Sequence, residues 1–316
     1  MVKPPLIIIA GPTAVGKTAI SVKLAQKLNA EIISADSMQV YKGLDVGTAK
    51  VTESEMQGVR HHMIDVLEPC ENFDVSTFKT MFDEAVSDIL SRNHLPIMVG
   101  GTGFYIQAAL YGIDFNESAK SGEYRAHLEE EIKLGNADKL YEELKRIDPE
   151  SAEKIHPNNH VRLTRALEYY HETGEPISKH NNEQSAKESR FNELFVVLTD
   201  DRAALYDRIN KRVDVMVEDG LLSEAEWLLS LGLTKDHTSM KGIGYHELNP
   251  LPQNEEELKT AIDKIKQDSR HYAKRQLTWF RREPNVTWVD RQNFKDNDEI
   301  VEYIYNKYVT EIQNGN

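Results

Sequence analysis

The sequence has little of what marks secreted and membrane proteins. It contains a single cysteine, Cys70, so an internal disulfide is excluded and a reducing compartment is expected. No apolar run approaches the ~18 residues that a membrane helix needs, and the short, charge-poor start does not form a signal peptide. From these absences we expect a cytoplasmic protein that does not associate with membranes.

Basic residues are also scarce, since 38 lysines and arginines stand against 52 acids, for a net charge of −14. Taken over the whole chain, this charge argues against binding to nucleic acid. The distribution reverses that argument, because residues 269–282 contain five basic residues and no acid, with Tyr272, Trp279 and Phe280 interleaved. Two interpretations stay open: a helix that binds a phosphate backbone, or a helix whose aromatic side chains enter the core while its arginines are solvated.

The most specific pattern lies at the beginning of the chain. The apolar run Leu6–Ile9 precedes Gly11-x4-Gly16-Lys17-Thr18, the phosphate-binding loop pattern, and apolar residues at helical spacing follow it. The glycines let backbone N–H groups turn around phosphate oxygens, while Lys17 would reach the outer phosphates and Thr18 would ligate Mg²⁺. The residues predicted to bind a di- or triphosphate here are Gly11, Thr13, Ala14, Val15, Gly16, Lys17 and Thr18.

Two further strands are predicted to end beside this loop. The strand Glu31–Ala35 ends at Asp36, and the strand Leu95–Val99 runs into a glycine-rich turn that contains Thr102. In an open parallel sheet the carboxyl ends of strands face the ligand crevice, so both residues should lie near the phosphate. A helix cap or turn carboxylate is the alternative for Asp36, and a simple tight turn explains the glycines equally well.

The middle of the chain changes character, since strand-like runs vanish and helical periodicity prevails. We predict an all-helical insertion at 112–194 within an α/β core of residues 1–111 and 195–316. In the insertion Arg162 and Arg165 share one helix face, which either contacts a partner or is merely solvated. The polar run from Thr173 to Ser189 is typical of a loop.

A strand returns at Phe195–Leu198 and is followed by Asp200 and Asp201. An acid at this strand end could hold Mg²⁺ through water, and a cap for the next helix is equally plausible. That helix carries Arg208 and Arg212, at a spacing that suits a clamp over a diphosphate.

Together these motifs resemble the bacterial tRNA dimethylallyltransferases, the tRNA isopentenyltransferase family, and they stand in that family's order over nearly the whole chain. The segments that carry the resemblance are GPTAVGKT (11–18), SADSMQVY (34–41), GGTGFY (100–105), RLTRALE (162–168), residues 202–216, GIGYHE (242–247) and KRQLTWFRR (274–282).

The resemblance implies an α/β fold like that of the P-loop NTPases, a parallel sheet flanked by helices, with the helical insertion contacting the tRNA anticodon stem-loop. The implied reaction transfers a dimethylallyl group from dimethylallyl diphosphate to N6 of adenine 37, while Mg²⁺ and the phosphate loop hold the leaving diphosphate. Asp36 would act as general base, and Thr102 would orient the amine or a donor phosphate oxygen. Lys17, with Arg208 or Arg212, would neutralise the leaving group.

The resemblance also implies a monomer that contacts tRNA through several segments. The residues to which it assigns tRNA contact are Asp36, Ser37, Met38, Gln39, Thr102, Arg125, Arg162, Leu163, Thr164, Arg165, Lys241, Gly244, Tyr245, Lys274, Arg275, Trp279 and Arg281.

Two other classes of protein share part of this pattern. A small-molecule or nucleotide kinase has the same loop and an arginine-bearing helix, but it uses ATP as donor and gives the basic aromatic segment no role. A nucleotide-gated RNA-binding protein explains that segment, but not a carboxylate and a second glycine turn beside the phosphate site.

Overall fold

A computed structural model describes residues 3–113, 122–185 and 187–313 of the chain. The chain forms two compact units, one made of Met1–Leu110 with Ser189–Asn316 and the other of Tyr111–Glu188. The strand that follows the second unit begins at Asn192, earlier than the sequence pattern indicates.

The first unit is organised on one sheet of six parallel strands. These are β1 (Pro5–Ala10), β2 (Ala30–Ala35), β3 (His61–His62), β4 (Leu95–Gly100), β5 (Asn192–Thr199) and β6 (Thr287–Asp290). Their order is β3-β2-β4-β1-β5-β6, so β1 lies in the interior of the sheet. Its apolar run is fully buried, as expected for a parallel strand covered on both faces. The predicted α/β class is confirmed.

Thirteen helices accompany the sheet in the described part of the chain. They are α1 (Lys17–Leu28), α2 (Glu53–Met56), α3 (Val75–Ser91), α4 (Gly103–Tyr111), α5 (Gly122–Lys133), α6 (Ala137–Ile147), α7 (Pro149–Lys154), α8 (His160–Thr173), α9 (Ile177–Ser185), α10 (Arg202–Glu218), α11 (Leu221–Ser230), α12 (Glu255–Phe280) and α13 (Asn297–Tyr308). Within those residues, no helix is both long and apolar enough to cross a bilayer.

The strand ends that matter for the site are aligned by the register of the sheet. Ala10 at the end of β1 pairs with Gly100 of β4 and with Val197 of β5, and Ala35 of β2 also pairs with Gly100. The backbones are so close that a Cβ on Gly100 would lie 2.3 Å from the carbonyl oxygen of Ala35. The phosphate loop, the Asp36 turn and the second glycine turn therefore begin side by side.

The last thirty residues, where the sequence motifs gave no assignment, complete the first unit. Strand β6 pairs with β5, and helix α13 packs on α1 through buried Ile300 and Ile304. The only sequence signal for β6 is a short run of β-branched and aromatic residues that ends in an acid. Four residues are too few for such a run to predict a strand.

The second unit contains α5 to α9 around its own apolar cluster, which includes Leu128, Leu144 and Leu163. The interpretation of residues 173–189 as a loop is wrong, because α9 occupies most of them. A carboxylate oxygen of Asp148 accepts from the Ser178 amide at 2.9 Å and so supplies the cap that the local sequence lacks.

A buried ion cluster at the start of β2 stabilises the sheet. Glu31 is 5% exposed, and its carboxylate accepts from both terminal nitrogens of Arg92 and from His62 Nε2. The Arg92 hydrogen bonds in particular lower the pKa of Glu31 from 4.5 to about 2. This contribution to stability is thus complete above pH 4.5 and disappears as the pH falls through about 2.

Glu31→Gln should lower the free energy of unfolding by about 2 kcal/mol at pH 7, less than the ~3–5 kcal/mol of a fully buried pair because Arg92 is partly exposed. Urea unfolding should show this deficit shrinking towards pH 2. Glu84→Gln, at an exposed position of α3, is the control and should change stability little. A deficit that is independent of pH would contradict the charge argument.

Candidate active site

The glycine-rich loop has a backbone that other residues could not adopt. Gly11 has φ +148°, and a Cβ there would lie 2.7 Å from the carbonyl oxygen of Leu198. Gly16 has φ +91°, and α1 begins at the next residue, Lys17. The N-terminus of α1, with its first-turn amides and its positive dipole end, therefore lies directly at the end of the loop, as in an anion site.

Two arginine side chains donate hydrogen bonds to carbonyl oxygens of the loop. Arg208 Nε donates to the carbonyl oxygen of Ala14 at 3.1 Å, and Arg291 Nη1 donates to that of Val15 at 3.1 Å. In a trans peptide the C=O and the following N–H point in opposite directions. The amides of Val15 and Gly16 therefore point away from the arginines, towards the concave side where a phosphate would lie.

The two acids after β5 have different partners in the structure. Asp201 caps α10, accepting from the amide of Ala203 at 2.9 Å. Asp200 Oδ2 lies 2.7 Å from Arg208 Nη2 and 3.6 Å from Arg291 Nε. Asp200 is therefore committed to the arginines behind the loop. Arg291, which the sequence analysis missed, follows β6 at the same sheet edge as the other strand ends.

Helix α12 links the phosphate loop to the second glycine turn. The buried Gln276 side chain accepts from the Thr13 amide at 2.9 Å and donates to the Gly101 carbonyl oxygen at 3.0 Å. One turn further on, Trp279 packs so closely that a Cβ on Gly103 would lie 2.2 Å from its ring. The i, i+3 spacing was readable in the sequence. The sequence analysis did not use the fact that Gln276 is uncharged within a basic segment, which indicates a side chain that points inward.

Asp36 fills the turn role and keeps a free oxygen. Its Oδ1 accepts from the amides of Met38 at 2.9 Å and Gln39 at 3.3 Å, which is the turn function that the sequence left open. Within the described residues, Oδ2 makes no hydrogen bond. The half-buried carboxylate can therefore hold its turn with one oxygen and accept a proton with the other.

Positive charge is concentrated beside Asp36. Lys17 Nζ donates to the carbonyl oxygens of Gly11 at 3.0 Å and Pro12 at 2.9 Å. Desolvation, followed by the charge of Arg212, lowers the pKa of Lys17 to about 8, against an opposing effect of Asp36. Arg212 also has its pKa lowered, chiefly by burial, and donates to the Ala49 carbonyl oxygen. An anion at this point would relieve the repulsion between the two cations.

Two cavities meet at these side chains. The smaller one, of about 270 Å³, has a mixed wall, in which apolar residues such as Ile209 and Val213 stand beside charged ones such as Lys241. The larger one, of about 750 Å³, contains the phosphate loop and Arg208. The residues that line both cavities are Thr13, Ala14, Asp36, Thr48, Arg212, Met216 and Tyr272.

Thr102 is placed beside these cavities, and not in their walls. Its side chain lies near that of Tyr272, whose pKa is raised to about 12, mainly by burial and then by the charge of Asp36. The structure therefore connects Thr102 to the junction of the cavities through a phenol that stays protonated.

The donor set suits Mg²⁺ at one point of the loop. Thr18 and Asp36 line one small pocket of about 60 Å³, and oxygen ligands of this kind, completed by phosphate and water, are what Mg²⁺ prefers. The described residues contain no cluster of three or more histidine, cysteine or acidic side chains that would bind a metal unaided.

The residues assigned to tRNA divide by exposure. Side chains that are exposed or half-buried are those of Arg125, Arg162, Arg165, Lys241, Lys274, Arg275 and Arg281, together with Ser37, Met38 and Gln39. Leu163 and Thr164 are buried, and Gly244 has no side chain, so any contact by these three would have to come from the backbone or follow a rearrangement. Tyr245 is shielded from solvent but lines the smaller cavity.

The basic segment at 269–282 combines both interpretations of its sequence. Phe280 is fully buried, Trp279 is half-buried against the glycine turn, and Tyr272 lines the cavities. The aromatic side chains thus point inward, as the second interpretation requires. Arg275 and Arg281 remain exposed, and Arg275 lies over the Tyr272 ring at 5.6 Å.

Comparison with known proteins agrees with this geometry. The family model for IPP transferase matches residues 39–283. A curated tRNA dimethylallyltransferase of Lachnoclostridium phytofermentans is 49% identical over 297 residues, which span 94% of this chain and 95% of that protein. The chain belongs to the IPP transferase family. The resemblance drawn from the motifs is confirmed, and with it the class of enzyme, a transferase that prenylates tRNA.

Solved IPP transferase structures share the fold. The full-length tRNA isopentenylpyrophosphate transferase of Bacillus halodurans is 43% identical, with a TM-score of 0.73 and coverage of 98% of this chain and 97% of that one. A eukaryotic dimethylallyltransferase captured acting on tRNA is 31% identical, with a TM-score of 0.80 over 98% of this chain and 77% of that one.

The lowered pKa of Lys17 makes anion binding depend on pH. A bound diphosphate should raise that pKa above about 8, so binding takes up a proton, and affinity should be full below pH 8 and fall up to about tenfold per unit above it. Lys17→Arg is the control, because arginine stays protonated throughout. The affinity of inorganic diphosphate, measured by calorimetry from pH 6 to 10, should diverge between the two proteins. Parallel curves would remove Lys17 from the anion site.

Proposed function

We propose that this enzyme transfers the dimethylallyl group of dimethylallyl diphosphate to N6 of adenine 37 of tRNA. The observation that carries the proposal is the place of Asp36, which lines both the cavity that contains the phosphate loop and the smaller cavity. A diphosphate suits the loop and the basic side chains of the first cavity. The second has both apolar and polar side chains in its wall, which suits an apolar five-carbon chain and an adenine with its polar edges.

The larger cavity has the chemistry of a leaving-group site. Loop amides, Lys17 and Arg212 surround the space where a diphosphate would lie, and Mg²⁺ held by Thr18 would add a Lewis acid. Negative charge grows on the diphosphate as its C–O bond breaks, so these fixed positive groups stabilise the transition state more than the ground state. Arg208 lines the same cavity and also donates to the Ala14 carbonyl oxygen, so it can support the loop and help to neutralise the diphosphate.

The smaller cavity would receive the acceptor base. An adenine stacked in an RNA loop cannot reach a half-buried carboxylate, so the base has to be extruded into the cavity. The exocyclic amine would then lie beside Asp36 Oδ2, which takes its proton as the new C–N bond forms. Thr102, which lies near Tyr272, would orient the amine or a donor phosphate oxygen.

The deciding experiment uses unmodified tRNA with either labelled dimethylallyl diphosphate or γ-labelled ATP. Carbon label should enter the tRNA at adenine 37, inorganic diphosphate with Mg²⁺ should compete with the donor, and ATP should not be consumed. Hydrolysis of ATP that depends on tRNA, without carbon transfer, would restore the kinase interpretation.

Asp36→Asn separates the base from the turn, because the amide oxygen can still accept from Met38 and Gln39. The single-turnover rate should fall by about 10²–10⁴-fold, the usual contribution of a general base. The dissociation constants of donor and tRNA, measured separately, should stay within about twofold. A rate close to that of the wild type would exclude Asp36 as the base.

Arg275→Ala and Arg281→Ala test the exposed basic face of α12. If each arginine meets one phosphate, each variant should weaken tRNA binding and reduce the slope of log affinity against log salt by about 0.9. Lys259→Ala, exposed in the acidic half of the same helix, is the control. A loss of donor binding with tRNA binding intact would assign these arginines to the core.

A further inference from the structure

One carboxylate outside the active site accepts four hydrogen bonds from two separate segments. Glu224 of α11 accepts from three successive amides, those of Asp45 and Val46 at 2.8 Å and that of Gly47 at 2.9 Å. It also accepts from the Tyr245 hydroxyl at 2.5 Å. A carboxylate has about four lone-pair sites, so the acceptor capacity of Glu224 is filled.

Both segments line the smaller cavity. Gly47 and Thr48 line it from one segment, and Gly242, Ile243 and Tyr245 line it from the other. The walls touch beside the carboxylate, since a Cβ on Gly47 would lie 2.7 Å from the Tyr245 hydroxyl. Glu224 therefore joins the walls of a cavity that it does not itself line.

The held segment is connected to the catalytic turn. Gln39 Nε2 lies 3.3 Å from the Thr48 carbonyl oxygen and 3.4 Å from that of Ala49, to which Arg212 also donates. Trp227, one turn after Glu224, packs under Gly43, where a Cβ would lie 2.5 Å from its ring. A displacement of residues 43–49 would thus reach both Arg212 and the turn that begins at Asp36.

The hydrogen bond to Tyr245 is made by a neutral phenol. Burial and the negative charge of Glu224 raise the pKa of Tyr245, so its hydroxyl keeps the proton that it donates. The backbone amides opposite are donors as well. A carboxamide at position 224 would direct an NH₂ group at some of these donors and so could not satisfy them all.

We propose that Glu224 is a positioning residue for the transfer reaction, holding the segment 45–47 against Tyr245 and thereby shaping the cavity that receives the acceptor adenine. The inference rests on the proposed function. It makes acceptor use, more than donor binding, depend on a residue that lines neither cavity.

Glu224→Gln should lower kcat/KM for tRNA by about 10–100-fold, as expected when an acceptor is misplaced by about 1 Å. The affinity for inorganic diphosphate with Mg²⁺ should fall much less, because the phosphate loop lies outside the segments that Glu224 holds, and the titration gives the concentration of folded sites. Glu226→Gln, exposed on the same helix, should match the wild type. Failure of the wild type and this control to prenylate tRNA would reject the proposed function, whereas equal kcat/KM per folded site in all three would reject only the role of Glu224.

Tyr245→Phe removes one of the four hydrogen bonds and supplies a second test. It should lower kcat/KM for tRNA in the same direction, and the double variant should lose less than the sum of the two in log units, because both changes release the same contact. Additive losses, or a fall in diphosphate affinity as large as the fall in tRNA use, would show that Glu224 stabilises the fold in general and would overturn the inference.

Discussion

The site depends on one constraint of the peptide backbone, which is that a loop can turn its amides inward only if its carbonyl groups find partners outside. Arg208 and Arg291 supply those partners for Ala14 and Val15, and Asp200 balances the charge of the two arginines. The phosphate site is therefore formed by residues behind it as much as by residues in it. Polar groups left without partners would cost more than the loop gains.

Two helices extend this arrangement to the rest of the site. Through Gln276, α12 ties the phosphate loop to the second glycine turn. Through Glu224, α11 ties the segment after the Asp36 turn to Tyr245. Gln276 thus joins two backbone groups, and Glu224 joins three backbone amides to a phenol hydroxyl. A single side chain with two or more acceptor or donor atoms thus fixes the distance between segments that are far apart in the chain.

Buried charged groups are likewise paired with partners of opposite charge. The chain is acidic overall, yet buried acids such as Glu168 are paired with arginines, here Arg125 at 2.6 Å and Arg165 at 3.4 Å. Arg275 and Arg281 stay exposed on a helix whose first turn carries three acids. The net charge of −14 is an average that says little about either surface.

The sequence alone determined the parallel sheet, the phosphate loop and the alignment of Asp36 with the second glycine turn, because these follow from local periodicity and from the rule that parallel strands end at one edge. Its motifs also identified the family. Only the tertiary structure decided which side chains support the site. Arg291, Gln276 and Glu224 have no local signature, since the backbone groups that they contact across the site lie 175 to 276 positions away. Their roles come from long-range backbone pairing, which local propensity does not record.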